Sequence, residues 1–273
     1  MRWLLAALAA MVGCAQARAG EYPLWELGVG LGVFAFPDYR GADQGRGYVF
    51  PIPYAVYRGD LLKADRKGVR GELFASDRID LHVSLGASLP VDSARNRARE
   101  GMPDLRPSLE IGPALEVRLW RNAEGDQLDL RLPVRLAFTI DAPPEGIGWV
   151  TTPNLNLDIV GRGALSGWRF GLLTGPTFGT QRQYGYFYTV APEFATAERP
   201  AYEARGGYGG WQFIASASRR FDGMWIGAFL RADTLRGAVF ENSPLVRRTS
   251  YVAGGLGVAW ILDESRNRVE APE

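Results

Sequence analysis

The sequence has very few of the side chains that most often bind metals or carry out catalysis. Its 273 residues include one cysteine, Cys14, and one histidine, His82. Structural zinc sites are built from several cysteine and histidine ligands, which this chain cannot supply. We therefore expect no metal site and no cofactor. A single cysteine also rules out a disulfide within the chain.

The chain has no excess of either charge. It contains 31 Lys and Arg residues against 30 Asp and Glu residues. Nucleic-acid-binding proteins usually carry a basic face, so this balance argues against a nucleic-acid partner. The mean hydropathy of −0.11 excludes a polytopic helical membrane protein. It does not exclude a β-barrel, because only alternate residues of a barrel strand face lipid.

The first residues have the pattern of a secretion signal. Arg2 supplies a positive charge, and the apolar run 3–12 is too short to cross a bilayer as a helix. Small residues then occupy the positions that signal peptidase requires, ending at Ala19. We expect a signal peptide over 1–19 and cleavage after Ala19, which discards Cys14. The rival interpretation is a lipoprotein anchored at Cys14, but Met11 fits the start of a lipobox poorly.

The remaining chain alternates apolar and polar side chains with a period of two. The alternation is clearest in 79–89, 109–119 and 128–140. Successive side chains of a strand point to opposite faces, so each segment has one apolar and one polar side. These segments exceed the usual soluble strand of about 5–6 residues, and aromatic residues lie near their ends, as in outer-membrane barrels. No segment longer than a turn has the pattern of an amphipathic helix.

These features predict an all-β fold, an antiparallel transmembrane β-barrel in the outer membrane of a Gram-negative bacterium, with both termini periplasmic. We expect one barrel domain over 20–262, with a charged and unstructured tail at 263–273. About twelve strands are predicted, an even number as single-chain barrels require: 24–36, 48–58, 61–66, 68–76, 79–90, 107–121, 127–140, 148–161, 167–181, 206–221, 224–236 and 249–262. Charges crowd the third and fourth of these, so a barrel of about ten strands is the alternative. Long connections are expected at 37–47, 91–106, 182–205 and 237–248.

Several short motifs occur in an order that resembles one family of outer-membrane proteins. Glycines alternate along the first predicted strand, and further motifs open the second strand and precede the last one. The residues that carry the resemblance are Pro37, Tyr39, Gly41, Pro51, Pro53, Tyr186, Phe187, Ser243 and Pro244. Together they are similar to the MltA-interacting protein/OmpV family, and the likeness covers most of the chain after the predicted signal peptide.

This resemblance implies a scaffold rather than an enzyme. Members of the family are associated with murein synthesis, and the type member connects a membrane-bound lytic transglycosylase to a penicillin-binding protein. We therefore expect a non-enzymatic scaffold with these two partners, embedded in outer-membrane lipid and lipopolysaccharide. The main alternative is a small-solute channel. An adhesin and a lipid A-modifying enzyme are more distant alternatives.

Charged residues on the polar strand faces are expected to point into the barrel. In the scaffold interpretation they pair across the lumen and stiffen it, whereas in the channel interpretation they line a narrow pore. The predicted inward-facing charges are Glu26, Glu110, Glu116, Arg118, Asp129, Arg131, Arg135, Asp158, Arg220, Arg231 and Asp233.

Two further groups are candidates for binding or chemistry. His82 shares a strand face with Asp80 and Ser84, a spacing that also occurs in one class of lipid A deacylase. Such an enzyme acts at its lipid-facing surface, whereas the alternation places His82 in the lumen, so we expect a hydrogen-bonding role. In the loop 91–106, arginines could hold lipopolysaccharide phosphates, and the alternative there is a solvated loop. These arginines are Arg95, Arg97, Arg99 and Arg106.

Overall fold

The computed structural model describes residues 21–58, 62–65, 68–76 and 78–270. The predicted cleavage site after Ala19 lies outside them. One large antiparallel sheet contains β2 Trp25–Pro37, β3 Gly45–Arg58, β4 Leu62–Asp65, β5 Gly68–Ala75, β6 Ile79–Ser88, β7 Ser108–Arg121, β8 Gln127–Thr139, β9 Gly146–Thr151, β10 Asn154–Val160, β11 Trp168–Gly179, β12 Gly207–Phe221, β13 Met224–Thr234 and β14 Ser250–Glu264. A second, small sheet pairs β1 Glu21–Pro23 with β15 Arg268–Glu270, and the helix α1 spans Gln181–Tyr188.

The pairings of the large sheet run around a ring. Consecutive strands pair from β2 to β8 and from β11 to β14, and β14 pairs with β2. The strands β9 and β10 share one place, because both lie between β8 and β11. The thirteen strands of the sheet therefore occupy twelve places. This confirms the predicted all-β, antiparallel barrel, and both of the weakly predicted strands are present as β4 and β5.

Side chains alternate between the two faces of the wall, as β2 illustrates. Leu27, Val29 and Leu31 are each at least half exposed on the outside, whereas Glu26, which directly precedes Leu27, is fully buried inside. The same outward exposure of large apolar residues recurs on β8, β12 and β14. The outer surface thus suits hydrocarbon and the interior suits polar groups. No helix in the described part of the chain is long and apolar enough to span a membrane.

The connections differ in length between the two ends of the barrel. The long ones, at 38–44, 89–107, 180–206 and 235–249, lie at the end opposite β1 and β15. We call this the loop end, and the end with β1 and β15 the terminal end. Turns at the terminal end are short; the one between β12 and β13 spans only 222–223.

The expectation of an unstructured tail is wrong for the residues up to Glu270. Strand β14 continues to Glu264, and β15 pairs with β1. The Leu24 N–H donates to the Asn267 carbonyl at 2.9 Å, and the Ser265 N–H donates to the Trp25 carbonyl at 2.8 Å. The charged composition masked this order, because backbone hydrogen bonds rather than an apolar face hold the segment in place.

Candidate functional site

The four long connections pack against one another over the loop end of the barrel. We call this structure, made of 38–44, 89–107, 180–206 and 235–249, the cap. It has its own hydrophobic core, composed of Tyr39, Ala42, Val91, Ala98, Leu105, Tyr184, Tyr188, Val190, Ala204, Leu235, Ala238, Phe240 and Leu245. Because separate loops contribute to one buried core, the cap is a folded unit and not a set of independent solvated loops.

Helix α1 provides the aromatic centre of the cap. The Tyr188 ring stacks on Phe240 with centroids 3.8 Å apart and planes at 7°, and Tyr184 lies 4.6 Å from the same ring. The Thr180 hydroxyl accepts from the Gln183 N–H and caps the helix N-terminus. The expectation that no helix exceeds one turn is therefore wrong. Eight residues are too few to show a clear helical period in the sequence.

Side-chain hydrogen bonds connect the loops of the cap. Tyr39 Oη donates to the Leu245 carbonyl at 2.8 Å, Tyr188 Oη donates to the Arg40 carbonyl at 2.9 Å, and Ser243 Oγ donates to the Tyr188 carbonyl at 2.7 Å. Six of the nine residues behind the family resemblance lie in this structure: Tyr39, Gly41, Tyr186, Phe187, Ser243 and Pro244. The other three lie in strands, Pro37 in β2 and Pro51 and Pro53 in β3.

The arginines of the loop 91–106 make contacts within the protein, whereas the sequence suggested that they could bind lipopolysaccharide phosphates. Arg99 is only 3% exposed and donates to the Phe187 and Pro103 carbonyls at 3.1 Å. The suggestion that Arg99 binds lipopolysaccharide is therefore wrong; it joins two loops of the cap. Arg106 lies 2.8 Å from Asp141. Only Arg95 and Arg97 have mostly exposed side chains, and each also pairs with an aspartate at 3.1 Å.

Under the cap, the inward-facing charges of the central strands meet in pairs. Arg135 Nε lies 2.9 Å from Glu110, and Arg131 Nε lies 2.9 Å from Glu116. Arg131 Nη2 also lies 3.8 Å from Asp129 and 3.9 Å from Asp158. Arg118 is 4.0 Å from Asp80, a residue outside the predicted set.

The remaining predicted charges form one cluster at each end of the lumen. At the terminal end, Arg220 lies 3.2 Å from Glu26 and 3.1 Å from Glu264. At the loop end, Asp233 accepts from Arg231 at 2.7 Å and from Arg40 at 2.9 Å. Sequence reasoning missed Arg40 because it lies in a loop of the cap, where no strand alternation indicates its direction.

A polar cavity of about 180 Å³ lies between these clusters. His82 and Ser84 line it together with Arg131, Arg135 and Asn154. Ser84 Oγ accepts a hydrogen bond from Arg135 at 3.2 Å, so its lone pair is directed at a guanidinium. Among the described residues, no three His, Cys, Asp or Glu side chains are placed to hold a metal ion.

Burial in the cap changes the acidity of its tyrosines, which predicts an alkaline transition. Desolvation raises the pKa of Tyr39, Tyr184 and Tyr188 well above the ordinary value. The folded cap holds these groups neutral, while an unfolded cap would ionise them at about pH 10. Cap stability should thus be complete below pH 10 and decline as the pH rises further. Tyrosinate absorbance at 295 nm should then rise together with protease cleavage of 180–206. Ionisation of all tyrosines near pH 10 with the cap intact would contradict this.

Comparison with known proteins identifies one family. The family model described as MltA-interacting protein MipA matches residues 29–262. The match begins within β2 and ends within β14, so it covers the barrel wall together with the cap. A search among curated proteins finds no match to the chain.

Proposed function

Because the chain belongs to the MltA-interacting protein MipA family, we propose that it is a non-enzymatic outer-membrane scaffold that captures a lytic transglycosylase of the cell wall. The observation that carries this proposal is the family match over residues 29–262. The second partner in the proposed scaffold is a penicillin-binding protein, as the resemblance to the family implies. In this arrangement the scaffold holds a murein-cleaving enzyme close to a murein-building one.

The interior of the barrel supports a scaffold more than an open channel. The cap covers the loop end with a buried aromatic core, so a solute entering there must first displace packed side chains. Below it, Arg131 and Arg135 have carboxylate partners within 2.9 Å. Charges that are satisfied by one another gain little from passing ions or water. The second candidate, a small-solute channel, is favoured by the polar cavity alone.

The terminal end offers the surface for the proposed partner. In the proposed orientation both termini are periplasmic, so this end faces the cell wall. The small sheet of β1 and β15 projects here beside a cleft of about 530 Å³. Charged residues line the cleft, among them Arg220, Asp263 and Arg268. The sheet and cleft add area beyond the short turns, which by themselves are small for a stable interface of about 1,200–2,000 Å².

Charge reversal at Arg268 tests this surface. Arg268 is partly exposed and lies 3.1 Å from Glu264. Arg268→Glu places two carboxylates together at the cleft, and we expect severalfold weaker capture of a purified lytic transglycosylase in pull-downs from detergent. The matched control is Arg97→Glu, because Arg97 also faces one carboxylate at 3.1 Å but lies on the cap. The control should capture the enzyme like the unmodified protein.

Planar-bilayer recordings distinguish the scaffold proposal from the small-solute channel. The purified, unmodified barrel is expected to show no sustained conductance. Robust single-channel currents, combined with no enrichment of any cell-wall enzyme in crosslinked pull-downs, would overturn the scaffold proposal and support a small-solute channel. Equal loss of capture for Arg97→Glu and Arg268→Glu would show that the enzyme does not bind specifically at the terminal end.

A further inference from the structure

Two consecutive arginines near the terminal end of β12 point in opposite directions. Arg220 faces the lumen, where it lies 3.2 Å from Glu26 and 3.1 Å from Glu264. Successive side chains of a strand alternate between its faces, so Arg219 lies on the exterior, on the same face as the exposed Phe213. This part of the wall, made of β11, β12 and β13, is on the opposite side of the ring from β4 and β5. An arginine therefore stands on the surface that suits hydrocarbon.

The residues around Arg219 are apolar or aromatic. Its neighbours in the register of the sheet are Trp168 on β11 and Ile226 on β13. Its guanidinium lies over the ring of Phe221, with the Cζ atom 4.7 Å from the ring centroid. Gly167 leaves room for the guanidinium, since a Cβ there would come within 3.3 Å of Nε. None of these four neighbours has a side-chain atom that accepts a hydrogen bond.

The contact with Phe221 orients the guanidinium without using its donors. An aromatic ring attracts a cation through its face. The five N–H groups of an arginine lie in the guanidinium plane and form a rigid fork. That fork matches the oxygens of a phosphate, which it holds through two parallel N–H bonds. The exterior arginine is therefore suited to a phosphate.

Arg219 lies at the level where lipid headgroups are expected. Strand β12 ends two residues later, at Phe221, and the turn 222–223 follows. Trp168 begins β11 at this end, and Trp260 on β14 is exposed beside it, opposite Met224 of β13. Tryptophans of this kind collect at the membrane–water interface. A cation in the hydrocarbon is costly, whereas at this level lipid phosphates are within its reach.

Between Arg219 and the middle of the barrel, the exterior is apolar and uneven. Leu172 on β11 is 49% exposed and Leu230 on β13 is 58% exposed, and both are register neighbours of Ala215 on β12. Ala217 lies between Ala215 and Arg219 on the same face. Because the alanines are smaller than the leucines beside them, the surface along β12 is lower than at its sides. An acyl chain can lie there while its headgroup meets Arg219.

We propose that Arg219 binds the phosphate of a membrane glycerophospholipid, whose acyl chains lie along the exterior of β12. With both termini periplasmic, the terminal end lies in the leaflet that consists of glycerophospholipids, whereas lipid A occupies the other leaflet. The positive charge of Arg219 complements the negative charge of the headgroup phosphate. The inference rests on the proposed outer-membrane orientation, but not on the transglycosylase partner.

Native mass spectrometry of the full, detergent-purified protein tests this site. The probe is dioleoylphosphatidylglycerol, and the reference is dioleoylglycerol, which has the same acyl chains but no phosphate. Arg219→Gln removes both the charge and the fork, while Arg219→Lys keeps the charge alone. The matched control is Arg97→Gln, which removes an exposed arginine on the cap, at the opposite end. Correct folding of each protein is checked by heat-modifiable gel mobility.

We expect Arg219→Gln to bind dioleoylphosphatidylglycerol about fivefold more weakly than the unmodified protein, the effect of one arginine near a lipid surface. Arg219→Lys should bind with intermediate affinity, and Arg97→Gln should bind like the unmodified protein. Dioleoylglycerol should bind all four proteins equally.

Three results would overturn the proposal. The first is equal binding of the phospholipid by Arg219→Gln and the unmodified protein, and the second is an equal loss in Arg97→Gln. The third is displacement of the lipid by inorganic phosphate at the same concentration, which would assign the site to free phosphate. Tighter binding of lipid A than of dioleoylphosphatidylglycerol would overturn the assignment to the periplasmic leaflet. Arg219-dependent lipid binding together with failed enzyme capture would retain the lipid site and remove only the scaffold.

Discussion

Phe240→Ala is expected to destabilise the cap by about 3–5 kcal/mol, the range for removing a fully buried phenylalanine side chain. Phe240 is 0% exposed and stacks on Tyr188 at 3.8 Å. The cavity cannot collapse easily, because the loops around it are fixed at both ends by barrel strands. Hydrogen exchange of amides in 180–206 should accelerate by the corresponding factor. Because a looser cap uncovers the lumen, the variant should also show conductance, whereas the unmodified barrel is expected to show none.

The control for this change is Phe213→Ala. Phe213 lies on the outside of β12 and is 52% exposed, so the same truncation there removes little buried contact with the cap. Exchange of the cap amides should remain unchanged. A Phe240→Ala protein with normal exchange would show that the aromatic stack does not hold the cap together. Faster exchange without conductance would place the barrier to ions in the ion pairs below the cap.

The barrel itself could be predicted from the sequence because strand alternation is a local signal. The predicted strand 127–140 matches β8 Gln127–Thr139, and 224–236 matches β13 Met224–Thr234. One face of each strand is apolar and the other polar, which fixes both the element and the direction of its side chains. The predicted strand 148–161 is interrupted between β9 and β10 at 152–153. Pro153 stands at the break, where it cannot contribute a ladder hydrogen bond.

The cap could not be predicted because its contacts are distant in the sequence. Tyr39 bonds to Leu245 across 206 residues, and Tyr188 bonds to Arg40 across 148. Neither partner stands in a periodic segment, so the sequence shows polar loops where the structure has a core. The short motifs around Tyr39 and Ser243 were the available signal. They marked the resemblance, but not the fact that these segments meet.

The inward charges were predictable as a set, while their partners were not. Alternation alone places Arg131 and Arg135 on the polar face of β8. That Arg131 meets Glu116 follows from the register of β7 against β8, in which the two residues are direct neighbours. Register depends on the whole ring of strands. Pairing of Arg40 with Asp233 across 193 residues depends in addition on the folded cap.

Arg131→Leu should cause the largest loss of stability within the lumen. Arg131 Nε lies 2.9 Å from Glu116, and Arg131 Nη2 lies 3.8 Å from Asp129. Both carboxylates are almost completely buried. Removing the guanidinium breaks this buried ion pair, which typically costs about 3–5 kcal/mol. The urea midpoint for unfolding of the vesicle-embedded barrel should fall accordingly, with an unchanged dependence of the unfolding free energy on urea.

Two further variants separate charge from packing in this result. Arg95→Leu removes an arginine from an exposed pair with Asp92 on the cap, and exposed pairs contribute little, so its midpoint should stay close to that of the unmodified protein. The double variant Arg131→Leu with Glu116→Leu removes both members of the buried pair. It should recover part of the loss, because an apolar pair of similar size also removes the carboxylate that Arg131 contacts. If the double variant were less stable than Arg131→Leu by the full cost of a second core substitution, the interaction lost at Arg131 would be packing of its aliphatic stem. Recovery would instead assign the stability of the lumen to the pairing of its charges, the same pairing on which the scaffold proposal relies.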